Sequence, residues 1–480
     1  MGWGGGMGTA ITRRTLIGSM AAPALLLSQK SGEERPNVLF IGADDMNNAL
    51  GCYGHPVVRS PNIDRLAAEG VRFDRAYCQY PVCGPSRASL LTGLRPDSTR
   101  IFENNISVRD KLPDVVTLPQ LFRNSGWRSV RAGKMYHMDV PGSVGTNKWD
   151  DPPSWDVSIS PAGSEQRTAG KAKNITEGKA RARWDVVAFS GEGKDQADER
   201  ATEIALETIN KHKTGSWFMG LGYIRPHLPH VAPERFFDLY PLSSIQPVMN
   251  PSGDLDDIPR ASEIAINTRA RDMGMNESDK KEAIRAYYAS ISYMDWQVGR
   301  VLGELDRLDL RRKTVVVFWG DHGWHLGEHH RWHKRSLFEE SMRAPLLVSA
   351  PGQRGNGKTS RSLVEFVDVY PTLAELARLT PPPNLEGQSL VPLLRDPGRP
   401  WKQAAFSVVT APDNIMGRCA VTDRYRYIRW TGPHTDEELY DRRTDPREFT
   451  NLARNAKHER VLTTMRGVLD RGWQAARARL

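Results

Sequence analysis

The chain has 480 residues, 39% hydrophobic and 26% charged, which excludes a disordered or collagen-like polypeptide. Its net charge is +9, of which Arg13, Arg14 and Lys30 supply three, leaving +6 on the rest with both signs dispersed; there is no basic arm or block for nucleic acid. Four cysteines, at 52, 78, 83 and 419, form neither a CxxC nor a disulfide framework.

Residues 11–28 (ITRRTLIGSMAAPALLLS) place an arginine pair ahead of an apolar run too short to span a bilayer comfortably, with small residues following. This reads as a removable leader of the twin-arginine type, so the protein is expected to be exported to the periplasm or outside the cell, without a stable transmembrane span.

Four apolar runs of strand length follow. Residues 38–41 lead into Asp44-Asp45, residues 127–132 into Gly133-Lys134 and His137, residues 216–222 into Arg225-Pro226-His227, and residues 314–319 into Gly320-Asp321-His322. Near-continuous apolar runs fit parallel strands buried on both faces. Helical patterns at 62–69, 115–123, 199–212 and 279–308 alternate with them, which predicts an α/β sandwich. In each run the polar residues come directly after the strand, at the sheet edge where ligands bind in parallel sheets. Residues 143–195 and 241–275 read as long excursions. A proline-rich break near 380–402 separates strand-like pieces at 404–409 and 425–430 and an Arg-rich amphipathic final helix at 457–480. The expected organisation is a leader at 1–30, a catalytic domain at 31–398 and a small α+β subdomain at 399–480 that completes the pocket wall.

Asp44-Asp45 and Asp321-His322 are acidic pairs at strand ends, costly there unless a cation neutralises them. Carboxylate oxygens suit Ca²⁺ or Mg²⁺, although His322 leaves zinc or manganese open. Cys83, with Pro85 two residues on, falls at a helix N-terminus, where unpaired N–H groups favour an anion. Taken alone, that position predicts a reactive thiol of low pKa with Lys134, His137 and His227 as partners.

Cys83-Gly84-Pro85-Ser86-Arg87, with Thr92-Gly93 following, resembles the signature of the type I sulfatases, in which the cysteine is oxidised to formylglycine by a separate generating enzyme. PNVLFIGADD (36–45), GKMYH (133–137), GYIRPHLPH (222–230), GDHGWHLGEH (320–329) and ELYD (438–441) fall in that family's order. LGCYG (50–54), RPDSTR (95–100) and SYMDWQVGRVL (292–302) are similar to the iduronate-2-sulfatase-like group. The resemblance implies an alkaline-phosphatase-like sandwich with a mostly parallel central sheet, and hydrolysis of sulfate esters, with a sulfated carbohydrate as the expected substrate. It implies one Ca²⁺ (or Mg²⁺) held by Asp44, Asp45, Asp321, His322 and the modified Cys83. Asp321 would also serve as base, Arg87 and His137 would orient the hydrate, Lys134 and Lys334 would neutralise sulfate oxygens, and His227 would protonate the leaving oxygen. Two positions depart from the pattern. Met46-Asn47 stands where relatives often have Leu-Arg, and His330 and His333 stand where they usually have glycine.

The histidines at 325, 329 and 333 recur every four residues, a spacing that suits zinc on a helix face, but Gly323 and Gly327 favour a loop lining the pocket. Cys52, Cys78 and Cys419 are expected to be buried free thiols, with Cys78 not bonded to Cys83. Rival readings are a phosphate or phosphonate monoester hydrolase on the same fold, and an inactive carbohydrate-binding homologue.

Overall fold

The four apolar runs become four neighbouring strands. The computed structural model describes residues 1–2, 35–164, 172–179, 183–265 and 273–479. In it Thr314–Gly320, Asn37–Asp44, Trp217–Pro226 and Arg128–Gly133 lie side by side, in that order, within an eight-stranded sheet. All three of their pairings are parallel, so their carboxyl ends share one edge. Val157–Ile159 extends the sheet beyond Arg128–Gly133. On the other side follow Leu346–Ser349, Val71–Tyr77 and, outermost, Thr359–Glu365. Leu346–Ser349 runs against both of its neighbours and is the one reversed strand of the eight.

Alternation along the central strands explains why both faces are covered. In Asn37–Asp44, Leu39, Ile41 and Ala43 enter one apolar cluster, whereas Val38 and Phe40 enter another on the opposite face. Val316 and Phe318 join the first, and Val315, Val317 and Trp319 the second. Each such large side chain contributes about 1.5–3 kcal/mol on burial, which fixes the register of strands whose ends carry the polar residues.

The 31-residue helix Glu277–Arg307 covers the first face. It starts where Asn276 and Asp279 cap each other's backbone N–H groups. Its Asp295 reaches the start of helix Pro61–Ala68 and accepts from the backbone N–H groups of Asn62 (3.1 Å) and Ile63 (2.8 Å). The expected helices thus appear as Pro61–Ala68, Leu118–Asn124, Ala197–Lys211 and Glu277–Arg307.

Near the C-terminus, Ala405–Ala411, Ile415–Val421, Tyr425–Thr431 and Asp436–Asp441 form a four-stranded antiparallel sheet, packed by helix Glu459–Ala476. The chain divides into two compact units, 1–34 and 35–480, and every element above belongs to the second. The leader reading at 11–28 lies outside the described residues. All four cysteines are free; Cys78, Cys83 and Cys419 are buried and Cys52 is half-buried.

Candidate active site

The shared strand edge assembles the site. Ala43 pairs with Gly320, so Asp44-Asp45 and Asp321-His322 emerge together. Asp321 N–H donates to the Ala43 carbonyl (3.2 Å), and Asp45 N–H donates to Asp321 Oδ1 (3.0 Å). Asp45 has φ +58°, a left-handed turn that Asp tolerates better than most residues and that swings its carboxylate back over the sheet edge. Gly133 turns the neighbouring strand with φ +77°, and a Cβ there would lie 2.1 Å from the Gly222 carbonyl oxygen. That close approach lets Lys134 N–H bond to Gly222 O (2.9 Å) and directs its side chain inward. Asp198 accepts from Ile224 N–H (2.7 Å) and Arg225 N–H (3.0 Å), fixing the segment that carries His227.

Helix Cys83–Thr92 enters this edge with every residue buried. Cys83 is its first residue, and its Sγ lies 3.0 Å from Lys334 Nζ, 3.4 Å from His322 Nε2 and 3.7 Å from Asp45 Oδ1. One turn later Arg87, wholly buried, spans Asp321 Oδ2 (2.9 Å) and Asp44 Oδ1 (3.1 Å) and donates to the carbonyls of Lys134 (2.8 Å) and Met135 (3.1 Å). Lys134 pairs with Asp44, and Lys334 with Asp45. Three carboxylates therefore face three fixed cations around the residue-83 side chain.

The electrostatics correct one expectation. Cys83 is not a low-pKa thiol: burial pushes it well above the ordinary value, and Asp44 pushes it further, outweighing Lys334. The helix N-terminus is real, but three acids surround it. Burial also works against the Asp44 carboxylate, yet Lys134, His227 and Arg87 hold it well below the usual range. Asp45 goes the other way, pushed up to about 7 by burial against the pull of Lys334, with Asp44 and Asp321 adding repulsion. Burial lowers His322 to about 4, so its imidazole is neutral. Its Nδ1–H donates to the Gly323 carbonyl (2.9 Å), which leaves Nε2 as a lone pair facing Asp45 Oδ1 at 3.3 Å.

Lys334 already neutralises Asp45 Oδ1, but the other carboxylate oxygen lacks such a partner. Asp45 Oδ2 is buried with no hydrogen-bond partner, and ligand atoms of Asp44, Asp45, Cys83 and His227 lie within 4.8 Å of one another, as do those of Cys83, Asp321 and His322. This donor set fits a hard divalent ion.

The remaining expected residues ring this cluster at varying distance. His227 Nε2 lies 3.6 Å from Asp45 Oδ2, and its Nδ1 donates to the Leu228 carbonyl (2.5 Å). His137 Nε2 bonds to Asp139 Oδ1 (3.0 Å), and burial, helped by Lys134, lowers it to about 3. Cys83 Sγ hydrogen-bonds to Lys334, His322 and Asp45 and to neither Arg87 nor His137; Arg87 binds the acids instead. The histidine-rich segment is a loop. His325 bonds Ser336 (2.9 Å), His329 pairs with Asp254 (3.2 Å), and His333 packs on Trp184 and Trp324, so their imidazoles point to separate partners. Sequence reasoning missed Tyr287, whose hydroxyl donates to the Asp45 carbonyl (2.8 Å) and accepts from Asn47 N–H (2.9 Å). Inside a long amphipathic helix such a tyrosine looks like any other core aromatic. It also missed Asp139, signalled only by lying two residues after His137.

The sulfatase family profile matches residues 36–379, and the profile described as N-sulphoglucosamine sulphohydrolase, C-terminal, matches residues 327–474. The chain belongs to the type I sulfatase family. A sulfatase of Formosa agariphila is 34% identical over 453 residues, covering 91% of this chain and 87% of the relative. The iduronate 2-sulfatase of Homo sapiens is 33% identical, covering 87% and 90%. Among solved structures, a phosphonate monoester hydrolase of Agrobacterium radiobacter superposes with TM-score 0.77 at 23% identity over 92% of this chain and 96% of its own. That likeness carries the fold, an alkaline-phosphatase-like sandwich with a mostly parallel sheet. This sulfatase is accordingly a sulfuric ester hydrolase, and its relatives include iduronate 2-sulfatases, as the sequence motifs implied.

Proposed function

We propose that this sulfatase hydrolyses sulfate esters of a sulfated glycan, at a formylglycine derived from Cys83 and with one divalent cation, Ca²⁺ or Mg²⁺. The observation that supports it most is the ring of Asp45, His322 and Lys334 within 3.7 Å of Cys83 Sγ. A soft, fully protonated thiol is a poor partner for so hard a donor set, whereas an oxygen-bearing side chain at the same position suits it. Asp44, Asp45, Asp321, His322 and residue 83 would hold the cation, which supplies Lewis acidity toward the nucleophile and the ester. The aldehyde supplies, as its hydrate, one hydroxyl to attack sulfur and a second whose deprotonation releases sulfate.

The chain's own groups do the rest. Arg87 bridges Asp44 and Asp321, and Asp321 serves as base. Lys134 and Lys334 place ammonium charge where negative charge develops on sulfuryl oxygens. His227, tethered through Nδ1, keeps Nε2 directed at the acids; burial favours its neutral form, so it would first take up a proton at Nε2 and then pass it to the leaving oxygen, where a proton donor contributes about 10²–10⁴ in rate. His137, held by Asp139, orients the hydrate. The glycan assignment draws on the iduronate 2-sulfatase relatives and on the leader at 1–30, which fits export to where polymers are degraded. Residues 31–398 are read as the catalytic domain and 399–480 as the subdomain closing its wall. The expected conversion partner is a formylglycine-generating enzyme acting on residues 83–87. Among the described residues no helix is long and apolar enough to cross a membrane.

Peptide mass analysis tests the reading. Conversion of Cys83 lowers the mass of its peptide by about 18 Da, and an active enzyme carrying unmodified Cys83 overturns it. Rates on matched aryl sulfate and aryl phosphate separate it from a phosphate or phosphonate hydrolase, which would prefer the phosphate.

A further inference from the structure

An open groove of about 660 Å³ lies between the outermost strand Thr359–Glu365 and the C-terminal sheet. Its charged lining is Arg75, Arg361, Arg399, Lys402 and Arg424, against Asp423 alone. Three of these cations are engaged. Arg75 pairs with Asp423 (2.8 Å), Arg424 with Asp441 (2.6 Å), and Lys402 with Asp368 (2.6 Å) and Glu365 (2.8 Å). Arg361 and Arg399 have no acidic partner among the described residues. Arg399 instead lies over the ring of Trp401, 5.9 Å from its centroid. Trp401 is half-buried and packs against an apolar cluster of the sandwich, and its indole Nε1 is buried without an acceptor.

This groove is remote from the catalytic edge. Thr359–Glu365 stands four strands from Asn37–Asp44, about 19 Å at ordinary strand spacing. Thr359, Arg361 and Ser362 come at the start of a strand running with the central ones, so they face away from the carboxyl-end edge.

We propose that this groove is a second binding site for a sulfated polysaccharide chain, separate from the catalytic pocket. Two unpaired guanidinium forks match the planar, multi-oxygen edges of sulfate groups. The half-buried Trp401 ring beside Arg399 adds aromatic surface for a sugar ring, and a groove of about 660 Å³ exceeds what a small ion fills. Nucleic acid is the less favoured polyanion, because the sequence disperses both signs of charge and carries no basic arm or block. The ligand class extends the glycan reading above, but the binding does not depend on turnover.

The test uses the full-length enzyme and the double variant Arg361→Ala/Arg399→Ala, with dextran sulfate as probe and unsulfated dextran and a short DNA duplex as controls. Dextran sulfate is expected to bind the wild type and to bind the variant at least about tenfold more weakly, with the salt dependence reduced by about two counterions. Turnover of a small aryl sulfate is expected to be equal in both. Equal affinity of the two proteins for dextran sulfate overturns the site. Equal wild-type affinity for unsulfated dextran overturns the sulfate requirement. DNA binding as tight as dextran sulfate, and lost in the variant, overturns the glycan assignment. Failure of the catalytic reading shows separately, as preference for aryl phosphate with dextran sulfate binding intact.

Discussion

At the scale of single residues, the site depends on what stands at position 83 and on the charges around it. A serine there has one hydroxyl where the proposed hydrate has two. Cys83→Ser is therefore expected to lose steady-state turnover by about 10³ or more, with sulfate left on the residue-83 peptide, as mass analysis after exposure to substrate would show; undiminished turnover would contradict the two-hydroxyl argument. Lys334 touches both Cys83 and Asp45, so Lys334→Met is expected to lower kcat about 10²–10³-fold, with an unchanged circular dichroism spectrum. The strand-end acids and Lys134 were legible in the sequence because an apolar run followed directly by polar residues marks where a buried strand reaches the sheet edge. Tyr287 was not legible, since its helix periodicity marks it as core and only the fold brings its hydroxyl to Asp45. Nor was the thiol's raised pKa, because a helix N-terminus is a local signal and the three acids that oppose it come from two other strands.

Elements are held by polar contacts that long-range folding alone creates. Asp295 caps helix Pro61–Ala68 from another helix, and Asp295→Ala is expected to destabilise the protein by about 1–2 kcal/mol, read by denaturant unfolding, with aryl sulfate turnover unchanged. Just past Lys334, helix Glu339–Met342 carries a half-buried carboxylate with one enclosed oxygen. Glu340 Oε2 lies 4.0 Å from His329 Nε2 and lacks a hydrogen-bond partner. Burial pushes Glu340 from 4.5 up to about 7 against the pull of His329, with Glu328 and Glu448 adding repulsion. His329 is raised as well, because Asp254 and Glu340 outweigh its burial. Both groups bind protons more tightly folded than unfolded, so their stabilisation is full at low pH and is lost as pH rises. For Glu340 the window runs from about 4.5 to about 7. Thermal unfolding midpoints are expected to fall across that window, and Glu340→Gln to flatten the fall. The long helices were readable from their 3.6-residue period. Val71–Tyr77 (VRFDRAY) was harder, because charged residues interrupt its apolar pattern, and Ile415–Val421 and Asp436–Asp441 offer no continuous apolar run.

For the whole molecule, the sandwich class followed from alternating strands and helices, but the strand order did not. Asn37–Asp44 lies between Trp217–Pro226 and Thr314–Gly320, partners roughly 180 and 280 residues away. Only that order puts Asp44, Asp45, Asp321 and His322 on one edge. A cation binding there stabilises the fold by mass action, about 2.7 kcal/mol at 100 times its Kd. Chelation is expected to abolish aryl sulfate hydrolysis and lower the unfolding midpoint together, with Ca²⁺ or Mg²⁺ restoring both; a midpoint indifferent to chelator and ion would argue against an ion at this edge.

The helix that begins at Cys83 is covered along its whole length, and residue 83 itself has no exposed surface. Under the proposed conversion, an enzyme that rewrites this side chain meets no exposed surface on the folded chain, so it would act before folding is complete. Collapse of the sandwich then closes the opportunity. If Cys83 is converted as proposed, a molecule that finished folding first would keep its thiol, and the active fraction of a preparation would record a race won or lost during synthesis.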